Sequence, residues 1–239
     1  MPWVRFVLVS SLLFGAAFPL NAGLGGGTLI GIVSLKGSPP KRTPLDLAKE
    51  PACAKMYAKD PLTDETVVTG RGNGLANAVV YISGGEGDNT PLPANALVFD
   101  AKGCRYKKHV VAVSIGQEIQ ITNSDPISHN IHAIAKENRE WSRMQPPGTP
   151  PFSYSYEKEE VIPVKCNIHP WMQAYFVVLK TRHFAVTGED GVFHLPDLPA
   201  GKYTVTAWHE SLGTQSQEIT ITSGEITSAY LVFPARAEE

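Results

Sequence analysis

The stretch Cys166-Asn167-Ile168-His169-Pro170-Trp171-Met172, CNIHPWM, gathers a thiol, an imidazole and a thioether, and a strand-like HNIH at 129–132 offers another imidazole from elsewhere in the chain. Thiolate and thioether are soft ligands and imidazole is intermediate. Two His, one Cys and a weak axial Met make the ligand set of an electron-transfer copper centre. A loop joining two adjacent strands can set Cys166 at the end of one strand and turn His169 and Met172 back over the same ion. A histidine from a distant strand then completes the plane. Such a frame holds a compromise between the geometries that Cu(I) and Cu(II) prefer. His129 and His132 are separated by an odd number of residues, so they point to opposite faces of any strand and only one can be a ligand.

The sequence around this loop reads as strands. Alternating or β-branched runs fall at Thr28–Leu35, Thr66–Thr69, Ala78–Ser83, Val110–Ile115, Glu118–Asn123, Phe152–Tyr156, Ala174–Leu179, Tyr203–Trp208, Glu218–Thr222 and Ala229–Phe233. Turn-forming clusters separate them, among them GGEGDNTPLP at 84–93, PPGTPP at 146–151 and GEDG at 188–191. Short strands at this spacing predict an all-β chain built as β-sandwiches. Only Leu45–Ala58 has room for a helix, capped by Thr43, with Pro51 limiting it. Trp141, Arg143 and Met144 read as part of a long loop, and Glu157–Glu160 as a solvated turn.

The first 22 residues carry one basic residue, Arg5, then an apolar run from Phe6 to Phe18 and a small or polar close at Asn21 and Ala22. This is the pattern of a cleaved secretory signal, so residues 1–22 are read as a leader and the protein as periplasmic or secreted. No other run approaches the ~20 apolar residues of a membrane helix, so no membrane span is expected once the leader is removed. The remainder, in a chain that is 43% hydrophobic and 18% charged, can bury one large or two small cores. A net charge of -2 leaves no basic footprint for nucleic acid. Cys53, Cys104 and Cys166 are an odd number in an exported chain. A Cys53–Cys104 disulfide that leaves Cys166 for metal fits the loop motif, and three buried free thiols are the alternative.

Within this pattern the segment from Cys104 to Leu179 resembles the cupredoxins of the amicyanin and plastocyanin type. The matching residues are Tyr106, HVVAVSIGQEIQITNSD at 109–125, His129-Asn130-Ile131-His132, Tyr154 with the strand into Cys166, the C-x2-H-P-aromatic-M loop, and AYFVVL at 174–179. The resemblance implies a Greek-key β-sandwich over residues 95–181. It also implies one copper ion held by His129, Cys166, His169 and axial Met172, with Asn130 tying the two ligand-bearing loops together. Where the amicyanin loop has Pro before its His, this chain has Ile168, which restores a backbone N–H near the thiolate. Pro126 and Ile127 before His129, and Pro170 and Trp171 beside His169, are expected to form an apolar collar where redox partners dock transiently on the His169 edge.

The sequence from Phe184, AVTGEDGVFHLPDLPAGKYTVTAWHE, resembles the carboxypeptidase regulatory-like or transthyretin-like sandwich. Asp190-Gly191 and Pro199-Ala200-Gly201 supply its turns. The opening strands of that family occur early in this chain, as Gly31-Ile32-Val33 to Gly37 and Asn77 to Ile82. The expected organisation is therefore a split sandwich, residues 28–94 with 182–235, into which the cupredoxin unit is inserted. A plainer arrangement is an extended cupredoxin followed by a small tail domain. His183, His194 and His209 read as surface or packed residues. The functional expectation is an exported one-electron carrier. A secreted binding or structural module for carbohydrate or protein, with copper secondary or absent, is the alternative. A copper enzyme would need a second site, commonly built from paired histidine motifs, and the seven His include no H-x-H pair.

Overall fold

The structure, a computed structural model, describes residues 25–85, 92 and 95–236. The leader expected at residues 1–22 and most of the GGEGDNTPLP turn lie outside the described residues.

Residue alternation decides most of the fold. In chain order come β1 (Gly27–Lys36), α1 (Pro51–Met56), a 3-10 turn at Arg71–Asn73, and β2 (Val79–Gly84). The middle of the chain forms β3 (Leu97–Ala101), β4 (Val110–Ser114), β5 (Ile119–Asn123), β6 (His129–Ala133), β7 (Trp141–Gln145), β8 (Phe152–Tyr154), β9 (Glu160–Lys165) and β10 (Gln173–Leu179). The last part gives β11 (Phe184–Val186), β12 (Val192–Leu198), β13 (Gly201–His209), β14 (Gly213–Ile221) and β15 (Ile226–Pro234). In β1 the buried residues Leu29, Val33 and Leu35 fall on alternate positions of one face.

Four sheets result, with strand orders β12-β1-β15, β11-β2-β13-β14, β4-β10-β9-β6-β7 and β3-β5-β8. The first two enclose a core that includes Leu29, Val33, Phe193, Val205, Leu231 and Phe233. The other two enclose Phe99, Ile121, Ile131, Ile162, Tyr156 and Phe176. Phe176 is fully buried and meets the Phe99 ring edge-on at 4.8 Å. Truncating a side chain so placed costs about 3–5 kcal/mol. β1 runs parallel to β15 from Thr28 opposite Ile226 to Lys36 opposite Pro234, and β2 lies between β11 and β13. The early strands β1 and β2 therefore pair with strands that start at residue 184 or later. At the Asp190-Gly191 turn, Gly191 has φ of 69°, and an added Cβ would stand 2.1 Å from the Val33 carbonyl oxygen, so this turn of the late segment docks directly on β1. A third apolar layer, Val79, Val110, Ala112, Val177 and Leu179 with Tyr175 and Trp208 against it, joins the two sandwiches.

Several local expectations change. The helix does not run over Leu45–Ala58 from a Thr43 cap; it spans Pro51–Met56 with Glu50 at the N-cap. Pro51 starts this helix instead of limiting it, because its missing N–H costs nothing in the first turn. Thr66–Thr69 forms no strand and only Thr69 bridges, to Leu75. Trp141 to Met144 belong to β7, paired antiparallel with β6, not to a loop. β3, β11 and β12 are further strands that the alternation reading passes over.

Candidate metal centre

The loop Cys166–Met172 connects β9 to β10, which pair antiparallel from Gln173 opposite Lys165. It closes on itself: Cys166 N–H donates to the Met172 carbonyl at 3.1 Å and Met172 N–H to the His169 carbonyl at 2.9 Å. The backbone thus turns Cys166, His169 and Met172 into the sandwich, where all are buried. His129 enters from the first residue of β6 and is also fully buried.

The donor atoms of His129, Cys166 and His169 lie within 4.8 Å of one another. The two Nδ1 atoms are 3.1 Å apart, and Cys166 Sγ is 3.7 Å from His169 Nδ1. First-row ions bond imidazole nitrogen at about 2.0–2.1 Å and thiolate sulfur at about 2.3 Å, so these separations suit donors gathered on one ion. Met172 lies in the same core cluster as Cys166. His132 stays outside the group, on the other face of β6. Its ring contacts Asn167 Oδ1 at 3.2 Å and Glu140 Oε1 at 2.7 Å.

An outer layer fixes these side chains. Asp125 Oδ2 accepts from His129 Nε2–H at 2.8 Å, so the proton sits on Nε2 and the Nδ1 lone pair faces the centre. The same carboxylate accepts from the backbone N–H groups of Gly103 at 2.7 Å and Cys104 at 2.8 Å. Cys104 adopts φ of 54° and is bonded to Cys53, which leaves Cys166 as the free cysteine. Asn130 N–H donates to Cys166 Sγ at 3.4 Å, and Asn130 Oδ1 accepts from Asn167 N–H at 3.4 Å, so this asparagine bridges the two ligand-bearing segments. The Tyr106 hydroxyl donates to the Asn130 carbonyl at 2.7 Å. Asn123 Nδ2 donates to the carbonyls of Ile127 and Gln145, bracing the turn before His129.

The electrostatics favour a thiolate. Burial alone would raise the Cys166 pKa, but His129 and the N–H groups of Asn130, His169 and Ile168 outweigh it and hold the thiol below its ordinary value. Of these N–H groups, that of Asn130 makes the hydrogen bond to the sulfur, and that of Ile168 adds a smaller effect. Burial would lower His129, yet Cys166 and Asp125 raise it above the usual imidazole range. His169 is lowered by burial and by the neighbouring His129, with Glu50 and Asp125 opposing. Burial would raise Asp125, but the Cys104 and Gly103 N–H groups and His129 hold it below the ordinary carboxylate value.

The collar around an accessible His169 edge is not what the fold presents. His169 is only 2% exposed. A separate cluster covers that end of the sandwich: Leu47, Cys53, Leu62 and Cys104, with Leu45, Ile127 and Trp171 packed against it. Trp171 lies against the His169 ring, with centroids 5.1 Å apart, and its indole N–H donates to the Cys104 carbonyl at 2.9 Å. Of the four collar residues, Pro126 and Pro170 are exposed while Ile127 and Trp171 are partly buried. The long connection between β1 and β2, clasped by the disulfide, occupies the expected docking face.

Sequence reasoning passed over Asp125, Glu50 and Asn167. A carboxylate four residues before a candidate ligand was a usable signal for Asp125. Nothing local points to Glu50, which reaches the site from the distant end of α1.

Residues 172–232 match the carboxypeptidase regulatory-like domain family. The matched carboxypeptidase regulatory-like segment starts at Met172 and so includes β10, a strand of the metal-bearing sheet, while β1 and β2, which pair with its later strands, precede it. No curated protein matches the chain. Among solved structures, it is similar to an amicyanin variant in its reduced state at 20% identity, over 42% of this chain and 98% of that one, with a TM-score of 0.33. A purple cupredoxin from Nitrosopumilus maritimus matches at 20% identity over 35% of this chain and 99% of that one, with a TM-score of 0.30. A Cu-containing nitrite reductase from Thermus scotoductus SA-01 matches at 15% identity over 41% of this chain and 25% of that one, with a TM-score of 0.34.

Proposed function

We propose that this chain is an exported copper protein that carries one electron at a time between redox partners. His129, Cys166 and His169 are its strong ligands and Met172 its weak axial one. The observation that carries this reading is the gathering of three buried soft and intermediate donors within 4.8 Å, supplied by two separate segments of a braced β frame. Copper, when bound, supplies the Cu(I)/Cu(II) couple. The protein's part is to orient the donors and exclude water. Asp125 and Asn130 hold the ligand segments in position, and Phe176, Ile162 and Ile131 supply a dry core around them. The N–H groups directed at Cys166 withdraw charge from its sulfur, which favours the reduced ion.

We read residues 95–181 as the copper-bearing unit, inserted into a sandwich formed by 28–94 with 182–235. Sheet pairing of β1 and β2 with strands beyond residue 184 supports that division. No helix among the described residues is long and apolar enough to cross a membrane. A partner approaching the ligand loop meets Ile168 and Pro170, which are exposed, in place of the buried imidazole.

The test is an optical spectrum of the secreted protein after addition of Cu(II), beside Cys166→Ala. An intense band in the orange-red, bleached by ascorbate and missing in the variant, is the expected result. A wild-type protein that takes up no stoichiometric copper, or a band that persists in Cys166→Ala, would refute the proposal.

A further inference from the structure

His169 has an outer nitrogen that the ligand assignment leaves unexplained. Its Nδ1 faces His129 Nδ1 and Cys166, so with an ion bound at Nδ1 the ring proton belongs on Nε2. That atom is buried and makes no hydrogen bond among the described residues. The carboxylate of Glu50 stands 3.6 Å from it, just beyond hydrogen-bond range. The other imidazole has the completed arrangement, with His129 Nε2 at 2.8 Å from the Asp125 carboxylate.

Glu50 is held in place on both sides. It is the N-cap of α1; its N–H donates to the Leu47 carbonyl at 3.0 Å, and its carbonyl accepts from Ala54 N–H at 3.0 Å. Three residues on, Cys53 is bonded to Cys104, whose carbonyl takes the Trp171 indole N–H while that ring packs on His169. Cys104 N–H in turn binds Asp125. One disulfide therefore ties together the elements that carry both carboxylates.

We propose that Glu50 is a positioning residue for His169: its carboxylate, delivered by the disulfide-clasped segment, fixes the imidazole through Nε2–H as Asp125 fixes His129. This rests on the copper reading and extends it. A carboxylate accepting from a ligand imidazole raises the ring's basicity and so favours the more highly charged ion. Glu50 lowers the potential, opposing the N–H groups at the sulfur.

The experiment compares wild type, Glu50→Gln and Glu50→Ala, all full-length and with the disulfide intact. Spectroelectrochemistry is run on the copper-loaded proteins, and 15N NMR of the imidazoles on zinc-loaded ones, zinc having no redox couple and binding the same donor types. Glu50→Ala is expected to lose about tenfold in Cu(II) affinity. With Cu(I) affinity unchanged, that is about 59 mV higher in potential. Glu50→Gln, whose amide oxygen still accepts but carries no charge, should fall between. With zinc on Nδ1, Glu50→Ala should shift the His169 Nε2 resonance upfield and leave that of His129 in place. Potentials equal to wild type in both variants would overturn the proposal. A wild type that takes up zinc but no copper refutes the electron-carrier reading instead, and the zinc comparison then decides Glu50, an unmoved His169 Nε2 resonance overturning it; a wild type that binds neither ion overturns both.

Discussion

Asp125→Ala tests the bracing of the site directly. The carboxylate serves three donors: the N–H groups of Gly103 and Cys104 and the Nε2–H of His129. Gly103 is partly exposed, so water can replace the lost acceptor there, whereas Cys104 and His129 are buried. Two buried donors left without an acceptor, at about 2 kcal/mol each, predict a loss of about 4 kcal/mol. Asp125→Asn separates hydrogen bonding from the mere presence of a side chain. With its oxygen in the Oδ2 position it keeps both buried donors and sets an amide N–H against Gly103 alone, so its loss should be about 1–2 kcal/mol. The assay is urea denaturation of the copper-free, disulfide-bonded protein at pH 7, followed by circular dichroism. A loss below about 1 kcal/mol for Asp125→Ala, or equal losses for the two variants, would refute the reasoning. In the copper-loaded protein, Asp125→Ala should also weaken metal affinity by about 10–100-fold, because His129 loses the partner that sets its tautomer.

Three further outcomes follow from other parts of the fold. His209 is fully buried with Nε2 unpaired, and burial pulls its pKa down to about 4. Its folded value lies below the ordinary one near 6.5, so its contribution is intact at pH 7 and fades as pH falls; between pH 7 and 4.5 the loss is roughly 2 kcal/mol. His209→Phe should flatten that acid limb in urea titrations, and identical pH dependence in variant and wild type would contradict it. His109, raised by Glu210 against the effect of burial, keeps its contribution at low pH and does not add to this loss. Replacing Cys53 and Cys104 together by Ser opens a loop with a sequence separation of 51; the chain-entropy cost is about 4 kcal/mol, to be read as a lower denaturation midpoint. Ile168→Pro deletes one of the N–H groups that help lower the Cys166 pKa. The potential should fall in spectroelectrochemistry, and an unchanged value would remove Ile168 from the account.

The ligand loop was legible because hairpin geometry is local. Cys166, His169 and Met172 sit on one loop between two strands of clear alternation, so their convergence follows from spacing alone. Strand parity allowed only one of His129 and His132, and the cupredoxin resemblance, not the parity, pointed to His129; the sheets show the opposite faces, with Ile131 in the core while His132 bonds outward to Glu140. β7 was unreadable for a physical reason. Among Trp141–Gln145 only Gln145, a polar residue, is buried, while Arg143 and Met144 are exposed and the Arg143 guanidinium lies over the Phe152 ring at 4.1 Å, so the segment shows no apolar alternation. β12 lies between the two turns that were read, and Pro196 within it interrupts the alternation, so it was not counted among the runs. The covering of His169 could not be read at all, since it depends on a distant disulfide and a short helix whose first residue, Pro51, looked like a stop.

The parallel pairing of β1 with β15 also sets an order of events. A chain made from its amino end has all the partners of β3 to β10 in hand once residue 179 is complete, while β1 waits for β12 and β15 until residue 234. The metal-bearing sheets can thus close while the strands that flank them in sequence are still incomplete. Closure over the longer span comes at greater entropic cost and last. The ligand pocket can therefore be assembled before the outer sandwich around its ends is sealed.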